Sequence, residues 1–515
     1  MIIRLCEISQ SLFICAPSGA HFTRAHREIA ASLARKRNYT ALNAEEIGVV
    51  RKMNKRNKYF EFYKRVITVA LPIMLQNGIS NFVSLLDNIM IGRVGTDQMS
   101  GVAIVNQLVF VFYLCIFGAI SGAGIFTAQY YGQKNMEGVR DTFRFKLVMA
   151  IVIYIAALFI FITFGDQLIS LYLHDGGETG NIELTLKYAK EYLYIMLIGL
   201  LPNAIENCYS STLRETGTTV VSMCASVVAV VVNLVLDYVL IYGKFGMPVL
   251  GVRGAAIATV ISRFIQLAIV VGWTHMHKNI KPFVSGLYKK LIIDGRLAKK
   301  IIIMGTPLLF NETLWAAGIA AQISEYSVRG LAVVAGLNIN STINNVFNVA
   351  FVALGDAVAI MVGQLLGAGK LKEAKQTAYR IIKFSVFICI ILGTLLYITA
   401  PLFPKIYNTT EEVRTLATRF LRVTAIVMPI QGFLHATYFT IRSGGKTLIT
   451  FLFDSCFLWC IAVPLSLVLS KYTELGIITV FLLCNLVETI KLVIGLIILK
   501  SGIWANNIVE EKNVA

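Results

Sequence analysis

The chain has 515 residues, of which 56% are hydrophobic and only 15% are charged, and its mean hydropathy is +0.70. This composition excludes an ordinary soluble protein, in which about 25% of the residues are charged. The formal net charge of +18 reflects lysines and arginines in the loops between apolar segments, so it predicts membrane orientation and no nucleic-acid partner.

Twelve apolar segments follow one another along the chain, and each is long enough to cross the hydrocarbon core of a bilayer. The predicted fold class is therefore an all-α polytopic membrane protein with twelve transmembrane helices in two pseudo-symmetric six-helix bundles. The predicted spans are 66–92, 103–128, 144–165, 190–209, 218–242, 254–276, 301–325, 338–364, 381–401, 418–440, 447–469 and 476–499.

The loops and the ends of the chain divide the rest of the sequence. Residues 1–52 contain no convincing signal peptide; they are interpreted as a disordered cytoplasmic extension or, alternatively, as a stretch upstream of a true start at Met53. We predict an N-lobe, a basic cytoplasmic linker, a C-lobe and a cytoplasmic tail at 53–276, 277–300, 301–500 and 501–515, respectively.

Lysine and arginine are concentrated in one set of loops, which includes 277–300 and 370–383. The positive-inside rule places these loops, and with them both termini, in the cytoplasm. We expect a monomeric multi-pass protein of the plasma (cell) membrane, in contact with the lipid bilayer.

The two halves of the chain share a signature at a constant offset of 235 residues. Gln129-x-x-Gly132 recurs as Gln364-x-x-Gly367. Such a duplication places a binding site between the halves and predicts transport, and the short loops leave little room for a catalytic domain. The same offset relates Thr142 to Thr377, Gly101 to Gly336, and Pro72 to Pro307.

Polar residues form a stripe on the first predicted span. Asn77, Ser80, Ser84 and Asp87 are spaced by three, four and three residues, so all four share one helix face. An ionisable side chain within the membrane requires a partner, a water-filled cavity or a function. This face is therefore predicted to line a wet interior, with Asn77 and Ser84 in the substrate cavity.

The fifth and sixth predicted spans add oxygen ligands at the same depth. Asn233 and Asp237 are four residues apart on one helix face, and Thr259 lies near the start of the sixth span. Residue counts place these groups in the outer half of the bilayer. The alternative interpretation is a set of separate helix–helix hydrogen bonds. The predicted Na⁺ or proton site consists of Asp87, Asn233, Asp237 and Thr259.

The second half carries its own polar face. Glu312 lies near mid-depth in the seventh span, where an acid in a cavity could attract a cationic substrate with help from aromatic faces such as Trp315. The predicted substrate-cavity residues in this half are Glu312, Gln322, Asn345 and Asp356. Pro72 and Pro307 are predicted to bend the first helix of each half.

The remaining charged groups are interpreted as structural. Glu488 and Lys491 form a predicted pair three residues apart on the last span. Asp454 is expected near a cytoplasmic helix end beside Lys446, and Glu206 near another beside Arg214. The turns 214–217 and 442–445 are expected to shape loops. No spacing typical of a metal site or a cofactor is present, so none is predicted beyond Na⁺ at Asp87, Asn233 and Asp237.

The run Leu-Pro-Ile-Met-Leu-Gln-Asn at 71–77, continued by Asp-Asn-Ile-Met-Ile-Gly at 87–92, resembles the first helix of multidrug and toxic compound extrusion (MATE) transporters. The paired Gln-x-x-Gly loops and the Pro307 to Glu312 stretch agree with this resemblance, which covers roughly 60–500. It implies twelve helices in two lobes around a V-shaped cavity and export of amphiphilic, often cationic compounds in exchange for Na⁺ or H⁺.

The resemblance also implies roles for individual residues. The N-lobe site of many prokaryotic members corresponds here to Asp87, Asn233, Asp237 and Thr259, and the proline associated with bending of the first helix corresponds to Pro72. NorM-type members pair an acid on helix 7 with an Asp on helix 10, whereas the tenth span here (418–440) has no acid. This departure favours the N-lobe site over a C-lobe cation site.

The predicted function is therefore secondary active multidrug efflux, in which amphiphilic organic cations are exported in antiport with Na⁺ or H⁺. The alternative is a lipid-linked oligosaccharide flippase of the wider superfamily, which would favour basic residues in the lumen. A membrane-embedded enzyme is not predicted, because the sequence has no paired nucleophile and base and no metal-ligand spacing.

Overall fold

The computed structural model of the protein describes residues 44–173, 181–289, 293–407 and 409–510; side chains are described from residue 59 onward, except at 84, 85, 88 and 89. Most of the predicted extension over 1–52 lies outside these residues. The described residues fold almost entirely into helices, without a strand.

Twelve long helices follow one another in the described part of the chain, each overlapping one predicted span. Apolar runs form helices in a bilayer because only intrahelical hydrogen bonds satisfy the backbone there. The helices are α1 (Ala44–Gly92), α2 (Thr96–Gly132), α3 (Met136–Ser170), α4 (Ile182–Glu215), α5 (Val220–Tyr242), α6 (Val252–Met276), α7 (Gly295–Ser327), α8 (Leu331–Gly367), α9 (Leu371–Thr399), α10 (Glu411–Ser443), α11 (Thr447–Tyr472) and α12 (Ile477–Ser501).

Within the described ranges, nine of these helices contain a stretch that is long and apolar enough to cross a membrane. The other three, α4, α7 and α10, are 34, 33 and 33 residues long, so length does not limit them. Each carries charged side chains that are exposed near its ends and polar side chains that are buried in the bundle, among them Glu206 of α4, Asn311 of α7 and Arg442 of α10.

Helices α1–α6 form the N-half and α7–α12 the C-half, and the first helix of each half packs against both. In α1, Val66 and Ile73 belong to a buried cluster with α8–α10 of the C-half, whereas the later part of the helix packs on α5. In α7, Ile301 packs with α2 of the N-half, and Leu314 accepts a hydrogen bond from Trp459 of α11. Pro72 lies within the stretch of α1 that packs on the C-half, and Pro307 lies within the stretch of α7 that packs on α2.

The linker folds onto the N-half after α6. A short 3₁₀ turn, Pro282–Val284, inserts Phe283 edge-on against Phe143. Arg144 of α3 holds the next turn by donating hydrogen bonds to the carbonyl oxygens of Gly286 and Leu287, both at 2.8 Å. We call the end of the bundle that carries this linker the linker end and the other end the opposite end.

Candidate functional site

The two halves meet most closely at the linker end, and the repeated Gln-x-x-Gly motif forms this contact. A Cβ atom added to Gly132 would overlap the carbonyl oxygen of Gln364, and one added to Gly367 would overlap the carbonyl oxygen of Gln129. Glycine is therefore required at both positions, because any side chain would separate α2 from α8. The motif is a seam between the halves.

The glutamines of the motif reach across this seam in a pseudo-symmetric manner. Gln129 donates to the carbonyl oxygen of Ser443 at 2.9 Å and of Asn506 at 3.2 Å, and it accepts a hydrogen bond from the backbone of Ile508 at 2.9 Å. Gln364 donates in the opposite direction to the carbonyl oxygen of Glu215 at 2.8 Å. These paired glutamine contacts cap α10 and α4, because they bind carbonyl oxygens of the last helical residues, which have no hydrogen-bond donor within their own helix.

The seam continues toward the middle of the bundle between α2 and α7. A Cβ atom on Gly122 would lie 2.6 Å from the Cα atom of Gly305, and one on Gly118 would lie 2.7 Å from Leu309. Small residues four apart allow such close approach of membrane helices. The halves are thus closed on each other from the linker end to about the level of Gly118.

The predicted N-half site lies near the opposite end, where α1, α5 and α6 come together. Asp237 lies beside Asp87 and Asn233 and is only 1% exposed. Asn233 faces Thr259, with 3.5 Å between the amide nitrogen and the hydroxyl oxygen. The structure thus brings together the four residues selected from the sequence.

Most carboxylate oxygens of this group have no hydrogen-bond donor among the described residues. Within the described residues, both side-chain oxygens of Asp237 and one of Asp87 are buried without an acceptable hydrogen-bond partner. Two adjacent buried carboxylates repel each other when both are ionised, so a proton or a small cation would relieve the repulsion. Carboxylate, amide and hydroxyl oxygens are also the ligands that a hard cation prefers.

The rest of the predicted N-half face contributes less. Asn77 is half-buried on α1 and lines neither of the two cavities described below. Its neighbour Gln76 instead donates to Ser226 at 2.9 Å, and Ser226 also receives a hydrogen bond from Gln266. The side chain of Ser84 lies outside the described residues.

A cavity of about 430 Å³, here the C-half cavity, is lined by helices α7, α8 and α10–α12. Glu312, Gln322 and Trp315 line it, as the sequence predicts for a substrate pocket. Asn345 is exposed and does not line it; Asn344 and Asn348, on another face of α8, do.

One wall of the C-half cavity is a charged network that the sequence interpretation did not contain. Lys491 is 6% exposed, and its ammonium lies 3.0 Å from carboxylate oxygens of both Asp454 and Glu488. The expected Glu488–Lys491 pair is therefore present. The expectation that Asp454 lies beside Lys446 is not met, because Asp454 belongs to a π-helical segment of α11, Leu452–Cys456, whose wider turn carries it toward α12.

The network reaches Glu312 through polar side chains. Asn311 donates to Asp454 and to the hydroxyl of Tyr438, both at 3.2 Å, and that hydroxyl donates to Glu312 at 3.0 Å. Glu312 thus has a tyrosine of α10 as its partner where NorM-type members have an acid. The ammonium of Lys491 takes the position that an inorganic cation would require between two carboxylates.

A second cavity of about 370 Å³, here the inter-half cavity, lies between α2, α4 and α6 of the N-half and α8 and α10 of the C-half. Asp356 lines this cavity and not the C-half cavity. Arg214, Arg263 and Arg442 line it as well. The expectation that the arginines of the 214–217 and 442–445 turns only shape loops is therefore incomplete.

Arg263 was missed in the sequence although it lies inside the sixth predicted span. An arginine flanked on both sides by about ten mostly apolar residues is costly in a membrane, and this cost is the signal that could have identified it. It lies close enough to Asp87 and to Glu206 for electrostatic interaction with both. Arg263 thus lies between the N-half acids and the inter-half cavity.

Comparisons with known proteins agree with this architecture. A sequence model of the family described as MatE matches residues 72–239 and 308–468. The chain is 24% identical over 425 residues to a probable multidrug resistance protein NorM of Thermotoga maritima, covering 81% of this chain and 88% of that protein. It is 27% identical over 416 residues to a probable multidrug resistance protein YoeA of Bacillus subtilis, covering 80% and 88%.

The fold has solved counterparts. A crystal structure of a MATE protein in complex with MaD3S superposes with a TM-score of 0.76 at 17% sequence identity, covering 85% of this chain and 96% of that one. At this identity the likeness concerns the fold alone. The matches of the sequence model, by contrast, cover more than half of the chain in two blocks, one in each half.

Proposed function

The chain belongs to the multidrug and toxic compound extrusion family of membrane transporters, and on this basis we propose that it exports amphiphilic organic cations in antiport with Na⁺ or H⁺. In this proposal the linker end and both termini face the cytoplasm of the cell, as the loop charges predict. The protein acts as a carrier in the plasma membrane and catalyses no chemical step.

The observation that carries the proposal is the adjacent pair of half-buried Asp87 and buried Asp237. Three of their four carboxylate oxygens have no hydrogen-bond partner within the described part of the chain, so the pair has affinity for a proton or Na⁺ that the protein itself does not satisfy. Asn233 and Thr259 add neutral oxygen ligands within the same group. Binding of the coupling cation at this site would change the charge carried by α1 near the opposite end of the bundle.

The C-half supports assigning the coupling cation to the N-half. Glu312 is the acid expected to attract a cationic substrate, and Trp315 adds an aromatic face to the same cavity. The other two acids of that cavity, Asp454 and Glu488, are already neutralised in part by Lys491. A site with its own ammonium has little affinity left for an inorganic cation.

The test is ethidium efflux from cells that lack their own pumps, with Na⁺ and pH gradients imposed separately. We expect export by the wild-type protein to follow one of the two gradients and to be lost in Asp237→Asn, because the amide cannot take up a proton or neutralise a cation. Asp166→Asn is the matched control, since Asp166 is half-exposed on α3 and pairs with Lys190. Full gradient-driven export by Asp237→Asn would refute this coupling mechanism.

The flippase alternative has one structural observation in its favour. It requires basic residues in the lumen to hold a pyrophosphate, and Arg214, Arg263 and Arg442 line the inter-half cavity. Transport of a lipid-linked substrate, together with no ethidium export under either gradient, would establish this alternative. The named relatives are multidrug resistance proteins, which favours efflux.

A further inference from the structure

The inter-half cavity combines three arginines with an apolar wall, and we propose that it binds the anionic head group, carboxylate or phosphate, of an amphiphilic ligand. This inference rests on the proposed function only in that the ligand is a transported substrate. It adds an anionic group to a substrate class that the Asp and Glu residues of the other sites define as cationic.

The arginines reach the cavity from three helices. Arg214 and Arg442 occupy equivalent positions near the linker ends of α4 and α10, one from each half, and Arg263 comes from the middle of α6. The pseudo-symmetry of the two halves explains why Arg214 and Arg442 reach the same cavity, but it does not explain the position of Arg263. A ligand in this cavity would therefore contact both halves of the protein.

Two carboxylates, those of Glu215 and Asp356, line the cavity beside the three arginines. Glu215 is bound by the fully buried ammonium of Lys146 at 2.6 Å. Asp356 interacts electrostatically with Arg214 and Arg442. Among the described residues, however, no carboxylate oxygen lies within 4 Å, the limit for an ion pair, of Arg214, Arg263 or Arg442. The lining of the cavity therefore holds three guanidinium groups against two carboxylates, one of which is already paired with Lys146.

Three further acids lie near these arginines but outside the lining of the cavity: Asp87 near Arg263, Glu312 near Arg442, and Glu206 near Arg214 and Arg263. Glu206 is buried, and its carboxylate accepts a hydrogen bond from the hydroxyl of Ser210 on the same helix. Arg442 is held by its own neighbours, since it donates to Ser121 and lies over the rings of Phe117 and Phe439 at 5.7 and 5.4 Å. These contacts orient its guanidinium but carry no negative charge.

Charge and shape together select the ligand. Guanidinium groups bind carboxylate and phosphate oxygens through paired N–H donors, and the bond is strongest where water is excluded. Ile116, Ile120 and Ile360 provide apolar surface beside the arginines for the body of the ligand. The volume of about 370 Å³ lies at the lower end of the range for small-molecule pockets, which is roughly 300–1,000 Å³.

Matched probes separate the charge of the head group from the apolar body. We would measure the binding of 4-phenylbutyrate, 4-phenylbutyl phosphate and 4-phenylbutylamine to the full-length protein in detergent by equilibrium dialysis. We expect the anions to bind, and Arg263→Gln to weaken their binding by about tenfold to a hundredfold, the usual effect of losing a charge-assisted hydrogen bond. Binding of the amine should not weaken.

Arg253→Gln is the matched control, because Arg253 lies on the same helix but is exposed and pairs with Glu191 at 2.8 Å. It should bind the anions as the wild type does. Arg214→Gln serves as a second variant should Arg263→Gln fail to give folded protein, and it is expected to weaken anion binding to a similar degree. Elution as a single symmetric size-exclusion peak is the criterion of folding.

The outcomes separate this proposal from the proposed function. Absent anion binding, or equal binding by Arg263→Gln, Arg214→Gln and the control, would overturn the anion site and leave ethidium antiport unaffected. Anion binding without ethidium export would support the site and refute cation export. Tighter binding of dioctanoyl phosphatidic acid than of 4-phenylbutyl phosphate would support the site and assign its head group to a lipid.

Discussion

The paired glutamine contacts provide the sharpest test of how the halves move. If they hold the linker end closed, their removal should populate a state in which α2 and α8 separate at that end. Gln129→Ala and Gln364→Ala remove the side chains while leaving the glycine seam intact. The two variants should differ in effect, because their glutamines make different numbers of contacts.

The size of the effect follows from the hydrogen bonds that are lost. Gln129 makes one hydrogen bond to Ser443 of α10 and two to Asn506 and Ile508 in the tail that follows α12, and Gln364 makes one to Glu215 of the N-half. Each neutral hydrogen bond contributes about 1 kcal/mol net. We therefore expect Gln364→Ala to favour the open state by about fivefold and Gln129→Ala, at about 2–3 kcal/mol, by about 30- to 150-fold.

Spin labels at two exposed, equivalent positions measure this opening. Gln133→Cys and Ala368→Cys, in a background without the nine native cysteines, place labels just beyond the ends of α2 and α8. Double electron–electron resonance should show one short distance in the parent protein and an added longer distance in Gln129→Ala. Gln376→Ala is the matched control, because Gln376 is exposed on α9 near the same end.

The relative size of the two effects matters more than either alone. Equal distance distributions for Gln129→Ala, Gln364→Ala and Gln376→Ala would refute a locking role for the motif. A larger opening in Gln364→Ala than in Gln129→Ala would refute the assignment of strength by hydrogen-bond number. In the first case the repeated glutamines would have to be explained by folding instead.

Two further predictions concern buried lysines. Lys491→Met should destabilise the protein by about 3–5 kcal/mol, since it leaves two carboxylates without their counter-ion. Adding Asp454→Asn should restore part of this loss. Additive effects of the two substitutions in a thermal double-mutant cycle would contradict the network. Burial lowers the pKa of Lys281 from the ordinary 10.5 to about 8. The folded protein therefore binds this proton less tightly than the unfolded chain, and stability should fall by about 3 kcal/mol as the pH drops from 10.5 to 8 and stay level below. Lys281→Met should abolish this part of the pH dependence of the melting temperature, and an unchanged dependence would show that Lys281 is solvated.

The fold could be predicted from the sequence because its signals are local. Apolar length marks each span, and the constant offset of 235 residues marks the duplication without any knowledge of packing. The N-half site could also be predicted from the sequence, since helix periodicity and depth alone place Asp87, Asn233 and Asp237. Neither inference requires knowing which helices are neighbours.

The C-half network and the inter-half cavity could not be predicted in this way. The position of Asp454 depends on a π-helical segment that shifts the register of α11, and no periodicity of 3.6 residues predicts such a shift. The convergence of Arg214 and Arg442 depends on how the halves meet at the seam. These features arise from contacts between helices that are far apart in the sequence.

Helix α1 connects the two ends of the molecule. It carries Asp87 near the opposite end, and its earlier part packs through Val66 and Ile73 into the C-half, with Pro72 inside this packed stretch. Proline removes one helical hydrogen bond, so bending costs least at this point. A cation bound at Asp87 would change the packing of the later part of α1 on α5 and, through the bend, its hold on the C-half. We therefore expect coupling to depend on bending of α1 at Pro72 and not on direct contact between the cation and the inter-half cavity.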